Sequence, residues 1–166
     1  KQKERGLIDL DAAINNYLPA DISDRIKGSD QVTVRMLLNH SSGIINFTEL
    51  PAYMLGQLNN PADQPSISEM MELVYDKELR SQPGTTYFYS NTNYLILYLI
   101  LQEVSGKNYK ELLHAEILAP LALSKTWYDL IPSTATAKID FRLVPEMDPH
   151  IQFQRLQNHI AKPKIR

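Results

Sequence analysis

The sequence predicts a mainly α fold followed by a short strand–helix segment, and three observations carry that expectation. Up to about position 129, apolar residues recur at three- and four-residue spacing, the period of one helix face. Ser, Thr, Asp or Asn stands ahead of most of these runs as an N-cap, and Gly or Pro stands after them. Beyond position 130 the period becomes two: Ala137, Ile139, Phe141 and Leu143 alternate with Lys138, Asp140 and Arg142, as in a half-buried strand.

Residues 1–5 are polar and helix-tolerant, and Gly6 follows where a helix C-terminus would place it. They read as the tail of a helix whose body lies upstream. Asp11 is expected to cap a short helix through Tyr17, with Ile14, Tyr17 and Leu18 on one face and Pro19 stopping it. Thr33 caps the next, with Val34, Leu37 and Leu38 inward and Gly43 as its stop. Residues 59–65 are rich in Asn, Pro and Asp and read as a loop. Ser68 opens a helix over residues 69–79, with Met70, Met71, Leu73 and Val74 on its apolar side. Pro83-Gly84 has the chemistry of a type II turn, and residues 85–89 are β-branched and aromatic, hence extended. Residues 92–104 are apolar nearly all round, which predicts the most buried helix of the chain; Ser105-Gly106 ends it. Asn108 with Glu111 opens a further helix that turns Leu112, Leu113 and Ile117 inward and stops near Pro120. After the strand, Asp148 caps a last helix with Pro149 at its first position and Phe153, Leu156 and Ile160 on one face.

Composition narrows the function. The 166 residues carry a net charge of −2 with no basic patch suited to nucleic acid. The longest apolar run, residues 94–101, is too short to span a bilayer, and the opening residues do not read as a signal segment. The absence of cysteine removes thiolate zinc sites and a cysteine nucleophile. His40, His114, His150 and His159 show no metal-ligand spacing, and no Gly-rich phosphate loop occurs, so neither metal nor cofactor is expected. His114 falls on a polar helix side and reads as a solvated surface residue. The charge is divided: residues 1–129 carry 11 basic and 16 acidic side chains, residues 130–166 carry 6 and 3, nets of −5 and +3. Two regions are therefore expected, 1–129 and 130–166.

Two short segments could carry chemistry. His40-Ser41-Ser42-Gly43 sets a histidine beside serines, but sequence neighbours at a helix end rarely face one another. A helix stop with Gly43 in the left-handed region is the better reading. Tyr89-Ser90-Asn91 lies where an extended stretch enters the most buried helix, a junction that presents side chains toward a cleft. By itself it also suits a plainer role, with Asn91 as the helix cap and Tyr89 packed at its edge.

Taken in order, Arg5-Gly6-Leu7-Ile8-Asp9-Leu10-Asp11, Tyr17-Leu18-Pro19, Val32-Thr33-Val34-Arg35-Met36-Leu37-Leu38-Asn39-His40-Ser41-Ser42-Gly43, Pro83-Gly84, Tyr87-Phe88-Tyr89-Ser90-Asn91, Val104-Ser105-Gly106-Lys107 and Pro120-Leu121 resemble the serine β-lactamase family. The resemblance is to its class C and penicillin-binding-protein-like branch and covers about residues 1–128. It implies the helical part of an α/β serine hydrolase that cleaves an amide, ester or β-lactam through an acyl-serine. Tyr89 is then the catalytic tyrosine of a Tyr-x-Asn motif and Asn91 its substrate-orienting asparagine. The resemblance further implies a small-molecule or peptide substrate and an extracytoplasmic location. A free phenol titrates near about 10, so Tyr89 needs a neighbouring ammonium to serve as a base.

The sequence departs from that pattern in two ways. No Ser-x-x-Lys occurs, and Lys125-Thr126-Trp127 lacks the glycine of Lys-Thr-Gly. The nucleophile is expected just upstream of Lys1, leaving the chain inactive alone and inclined to self-association or to complementation by another chain. Residues 131–160 resemble instead the dimerisation (lid) domain of zinc aminoacylase and carboxypeptidase-type metallopeptidases, which implies a junction near residues 129–131. Two other roles are thus weighed: a non-catalytic assembly module pairing through the strand at 137–143, and a metallopeptidase lid segment.

Overall fold

The computed structural model describes residues 1–60 and 65–126, together with the single helical residue Gln154. The strand expected over residues 137–143 lies outside the described residues, as does the helix expected from Asp148 apart from Gln154. Most of the loop expected at 59–65 is outside them too. Within them the fold is helical, with α1 (Ala20–Ser23), α2 (Val34–Leu38), α3 (Pro51–Asn59), α4 (Ile67–Glu72), α5 (Asn91–Ser105) and α6 (Tyr109–Leu113). No sheet forms among the described residues; a single antiparallel bridge joins Ala13 to Thr33.

The chain opens on a turn that closes like a helix end. The Leu7 N–H donates to Gln2 O at 3.0 Å and the Gly6 N–H to Lys3 O at 2.9 Å. This pairing, with Gly6 at φ 73°, is the Schellman arrangement expected of a C-terminal glycine. Arg5 and Gln2 reach across to Glu116, and Lys1 Nζ donates to the Glu116 carbonyl. Burial works to raise the Glu116 carboxyl, but Arg5, Gln2 and Lys1 outweigh it and hold it below its ordinary range.

Asp11 does not cap a helix. Its carboxylate takes Arg35 Nε at 2.6 Å and Nη2 at 2.8 Å, a bidentate pair, and the expected helix shrinks to a 3-10 turn, Ile14–Asn16. The backbone is spent elsewhere: the Ile14 N–H donates to Val32 O and the Val34 N–H to Ala12 O, which tie this turn to the start of α2.

Thr33 caps α2 as expected, accepting the Met36 N–H at 3.3 Å. Val34 and Leu37 are buried, but Leu38 is exposed, because α2 is only five residues long and turns one face inward. The stop also moves. His40, at φ 59°, takes the left-handed position, with the His40 N–H on Leu37 O and the Ser41 N–H on Met36 O. Gly43 is left-handed too, at φ 76°, but it serves a later close approach to Ser81.

The α4 cap is Ser66 rather than Ser68. Ser66 Oγ accepts the Glu69 N–H while Glu69 returns to the Ser66 N–H, a complete capping box, and α4 ends at Glu72 instead of near Leu79. Met71 and Val74 are buried as the periodicity predicts. Helix α3 has no buried residue, which is why its apolar spacing gives no clear signal. The type II turn forms at residues 82–85, with Gly84 at φ 79° and the Thr85 N–H on Gln82 O at 3.3 Å.

Helix α5 is central, with α2, α4 and α6 packed against it. Ile96, Leu97 and Ile100 are buried in it, and Gly106 ends it left-handed, its N–H on Gln102 O. Asn108 caps α6 by accepting the Glu111 N–H at 3.0 Å. A π-helical turn, His114–Leu118, follows; its extra residue per turn carries the buried position from Ile117 to Leu118, so Ile117 faces out. Among the described residues no helix is long and apolar enough to cross a membrane.

Surface carboxylates give the fold an acid dependence. Hydrogen bonds from Arg35, from Ser66 and from Arg25 hold Asp11, Glu69 and Glu72 respectively below their ordinary values. A carboxyl depressed in the folded state stabilises it above the unfolded pKa, and that contribution fades as pH falls through the folded one. The melting midpoint is therefore expected to be flat from about pH 7 to 5 and to fall below about pH 4. Calorimetry showing no decrease down to about pH 2.5 would contradict it.

Candidate active site

The two site residues predicted from sequence, Tyr89 and Asn91, come together at the start of α5. Tyr89 Oη donates to Asn91 Oδ1 at 3.2 Å. Asn91 is the first residue of the helix and not its cap. Ser90 holds the cap position, in extended conformation at φ −140°, but its hydroxyl donates to Ile45 O at 3.0 Å and leaves the helix N–H groups alone.

The missing cap comes from another part of the chain. Asn46 Oδ1 accepts the Asn91 N–H at 3.1 Å and Asn91 Nδ2 at 3.3 Å, and Asn91 Nδ2 also reaches Thr48 Oγ1 at 3.4 Å. Thr92 Oγ1 repays the contact by accepting the Phe47 N–H at 3.0 Å. Residues 46–48 thus wrap the first turn of α5, and Asn46 satisfies the Asn91 N–H that the helix start would otherwise leave open.

Below this lies a fully buried polar chain. Ser42 Oγ donates to Asn93 Oδ1 at 2.7 Å and accepts the Ile44 N–H at 3.1 Å. Asn93 Nδ2 lies 3.2 Å from His40 Nδ1, which also accepts the Ser90 N–H at 3.3 Å. A backbone N–H can only donate, so Nδ1 is the acceptor and the imidazole proton sits on Nε2. His40 therefore engages the site backbone and not Ser41 or Ser42, so the two serines do not pair with the histidine beside them. Its ring packs on Tyr89 at 4.5 Å and Tyr94 at 5.3 Å between centroids, with Tyr87 edge-on at 6.1 Å. The three tyrosines are 52–68% exposed, so an aromatic surface rings a buried histidine.

The sequence reading misses Asn46 and Asn93 and undervalues His40. One signal was available: three polar residues, Asn91, Thr92 and Asn93, open a helix that is otherwise apolar, so something polar must face them. Chemically, Tyr89 here is a hydrogen-bonded phenol with no lysine or arginine paired to it among the described residues. No group of three or more metal-ligating side chains forms among those residues either.

The beta-lactamase family model matches residues 1–137. The chain is 28% identical over 127 residues to a putative D-alanyl-D-alanine carboxypeptidase of Salmonella paratyphi B, covering 75% of this chain and 29% of that protein. A D-stereospecific amidohydrolase from Streptomyces sp. superposes with a TM-score of 0.66 at 32% identity, over 74% of this chain and 37% of the other. An octameric penicillin-binding protein homologue from Pyrococcus abyssi gives 0.60 at 31% identity, over 74% and 28%. The chain thus spans about three tenths of the length of the curated relatives it matches.

Proposed function

The chain belongs to the beta-lactamase family of serine hydrolases, and on that premise we propose that Tyr89 and Asn91 form one wall of an acyl-transfer site. The observation that carries the reading is the 3.2 Å contact between them, on a helix start fastened by Asn46, Thr48 and His40. A serine hydroxyl loses its proton to the Tyr89 oxygen as its Oγ attacks the substrate carbonyl. Tyr89 passes that proton to the departing group, and water later releases the acyl chain from the serine. Asn91 can donate and accept at once, which suits holding a substrate amide. An ammonium beside Tyr89 is required, because only then is its phenolate favoured.

An amide substrate is favoured over an ester, since two relatives are named for a carboxypeptidase and an amidohydrolase activity. No cofactor enters this chemistry, and the likeness to a D-alanyl-D-alanine carboxypeptidase supports an extracytoplasmic setting. The 166 residues contain no Ser-x-x-Lys, and half-exposed Tyr87 and Tyr94 flank Tyr89. Both points support a site completed by another stretch of polypeptide. Intact mass spectrometry after incubation with a fluorescent penicillin should show no adduct on this chain alone. An adduct is expected only on a second chain bearing Ser-x-x-Lys, added with it. A stable acyl adduct at any serine of this chain would overturn the inactivity.

A further inference from the structure

We propose that the cleft between α1, α4 and α5 binds a small organic cation, an ammonium or guanidinium carried on an apolar body. The cleft has a volume of about 450 Å³, inside the range of small-molecule sites, roughly 300–1,000 Å³. None of its lining residues belongs to the constellation around Tyr89, so the inference stands apart from the acyl-transfer reading.

Ile22, Ile67 and Leu99 give the cleft apolar walls, and Tyr75 and Tyr98 add aromatic rings. Its charge is one-sided. Arg25, the cation of the lining, is already neutralised: its Nη atoms meet both Glu72 oxygens at 2.9 and 3.0 Å, and its Nε meets Asp76 at 3.4 Å. Its guanidinium also lies 4.1 Å over the Tyr75 ring. Two carboxylates on one guanidinium leave a net negative charge, and Asp21 adds another with no hydrogen bond or ion pair among the described residues. Burial raises the Tyr75 hydroxyl above its ordinary value, and Glu72 and Asp21 add to that against Arg25, so it stays a neutral donor. An anion entering this cleft meets repulsion, and a neutral molecule gains no charge attraction from Asp21. A cation gains Asp21 and an aromatic face together.

Titrating the 166-residue chain with benzylammonium, followed by NMR, tests this against the near-isosteric benzyl alcohol. Saturable shifts are expected at the Ile67 methyls and the Tyr98 ring, with a dissociation constant of about 1–10 mM for so small a probe. Benzyl alcohol should bind about fivefold more weakly, and Asp21→Asn should weaken benzylammonium by about the same factor. Equal affinity for the two probes, an unchanged Asp21→Asn variant, or no saturation at Ile67 and Tyr98 would each overturn the proposal. The comparison of probes on the wild-type chain does not depend on any variant folding.

Discussion

Gly43→Ala is expected to unfold the helical region, with a loss of about 3 kcal/mol or more. Two effects coincide at this position. Gly43 sits at φ 76°, where an L side chain is strained by about 1–3 kcal/mol. A Cβ built there falls 2.1 Å from the Ser81 carbonyl oxygen, a backbone atom that cannot swing aside. The backbone on both sides is fastened, because the Arg80 N–H donates to Gly43 O at 2.8 Å and the Gly84 N–H to Ser41 O at 2.8 Å. Gly6→Ala is the control: at φ 73° it carries similar strain, but nothing lies within 4 Å of its Cβ. Urea denaturation should show a loss of about 1 kcal/mol at Gly6 and at least twice that at Gly43. Equal losses would mean that the Ser81 contact relaxes freely and that conformation alone matters.

Asn93→Leu should cost about 3 kcal/mol although it keeps the number of side-chain heavy atoms and adds apolar surface. Asn93 is fully buried, and its amide joins Ser42 Oγ to His40 Nδ1. Removing it leaves the Ser42 hydroxyl without its acceptor in a dry site, which is more damaging than never having had the pair. Ser42→Ala should then cost less in the Asn93→Leu background than alone, the loss common to both being the Ile44 N–H that Ser42 Oγ accepts. Additive losses in that cycle would show that the two side chains do not act as a unit. Tyr89 fluorescence is a poor monitor here; the His40 ring resonances are better, since His40 touches both Asn93 and Tyr89.

Much of this architecture can be read from local chemistry. The caps at Thr33 and Asn108, the turn at Pro83-Gly84, the stops at Gly6 and Gly106 and the burial of α5 follow from residues within one or two helical turns of each feature. What escapes is non-local. Asp11 is a good cap by type, but Arg35 lies 24 positions away and wins its carboxylate. Ser66 and Ser68 are an exception, since the Glu69 carboxylate that selects Ser66 stands three residues after it, a local signal that the choice of Ser68 overlooks. The π-helical turn that exposes Ile117 changes the helical period, which no fixed 3.6-residue template anticipates.

The site divides along the same line. Tyr89 and Asn91 are legible as a pair because they are two residues apart and family resemblance marks them. Asn46 and His40, more than 40 positions upstream, are not, because their partners are the backbone N–H groups of Asn91 and Ser90, and backbone groups leave no trace in a sequence.

That dependence on main-chain partners separates heritable reactivity from heritable shape. The peptide N–H groups of Ser90 and Asn91 are held by His40 and Asn46 through hydrogen bonds that do not involve the phenol oxygen at position 89. Under the proposed acyl-transfer reading, substitution at that position would change the chemistry offered to a substrate while the track beneath it stays where it was. A catalytic repertoire can drift on such a track without each step having to refound the fold.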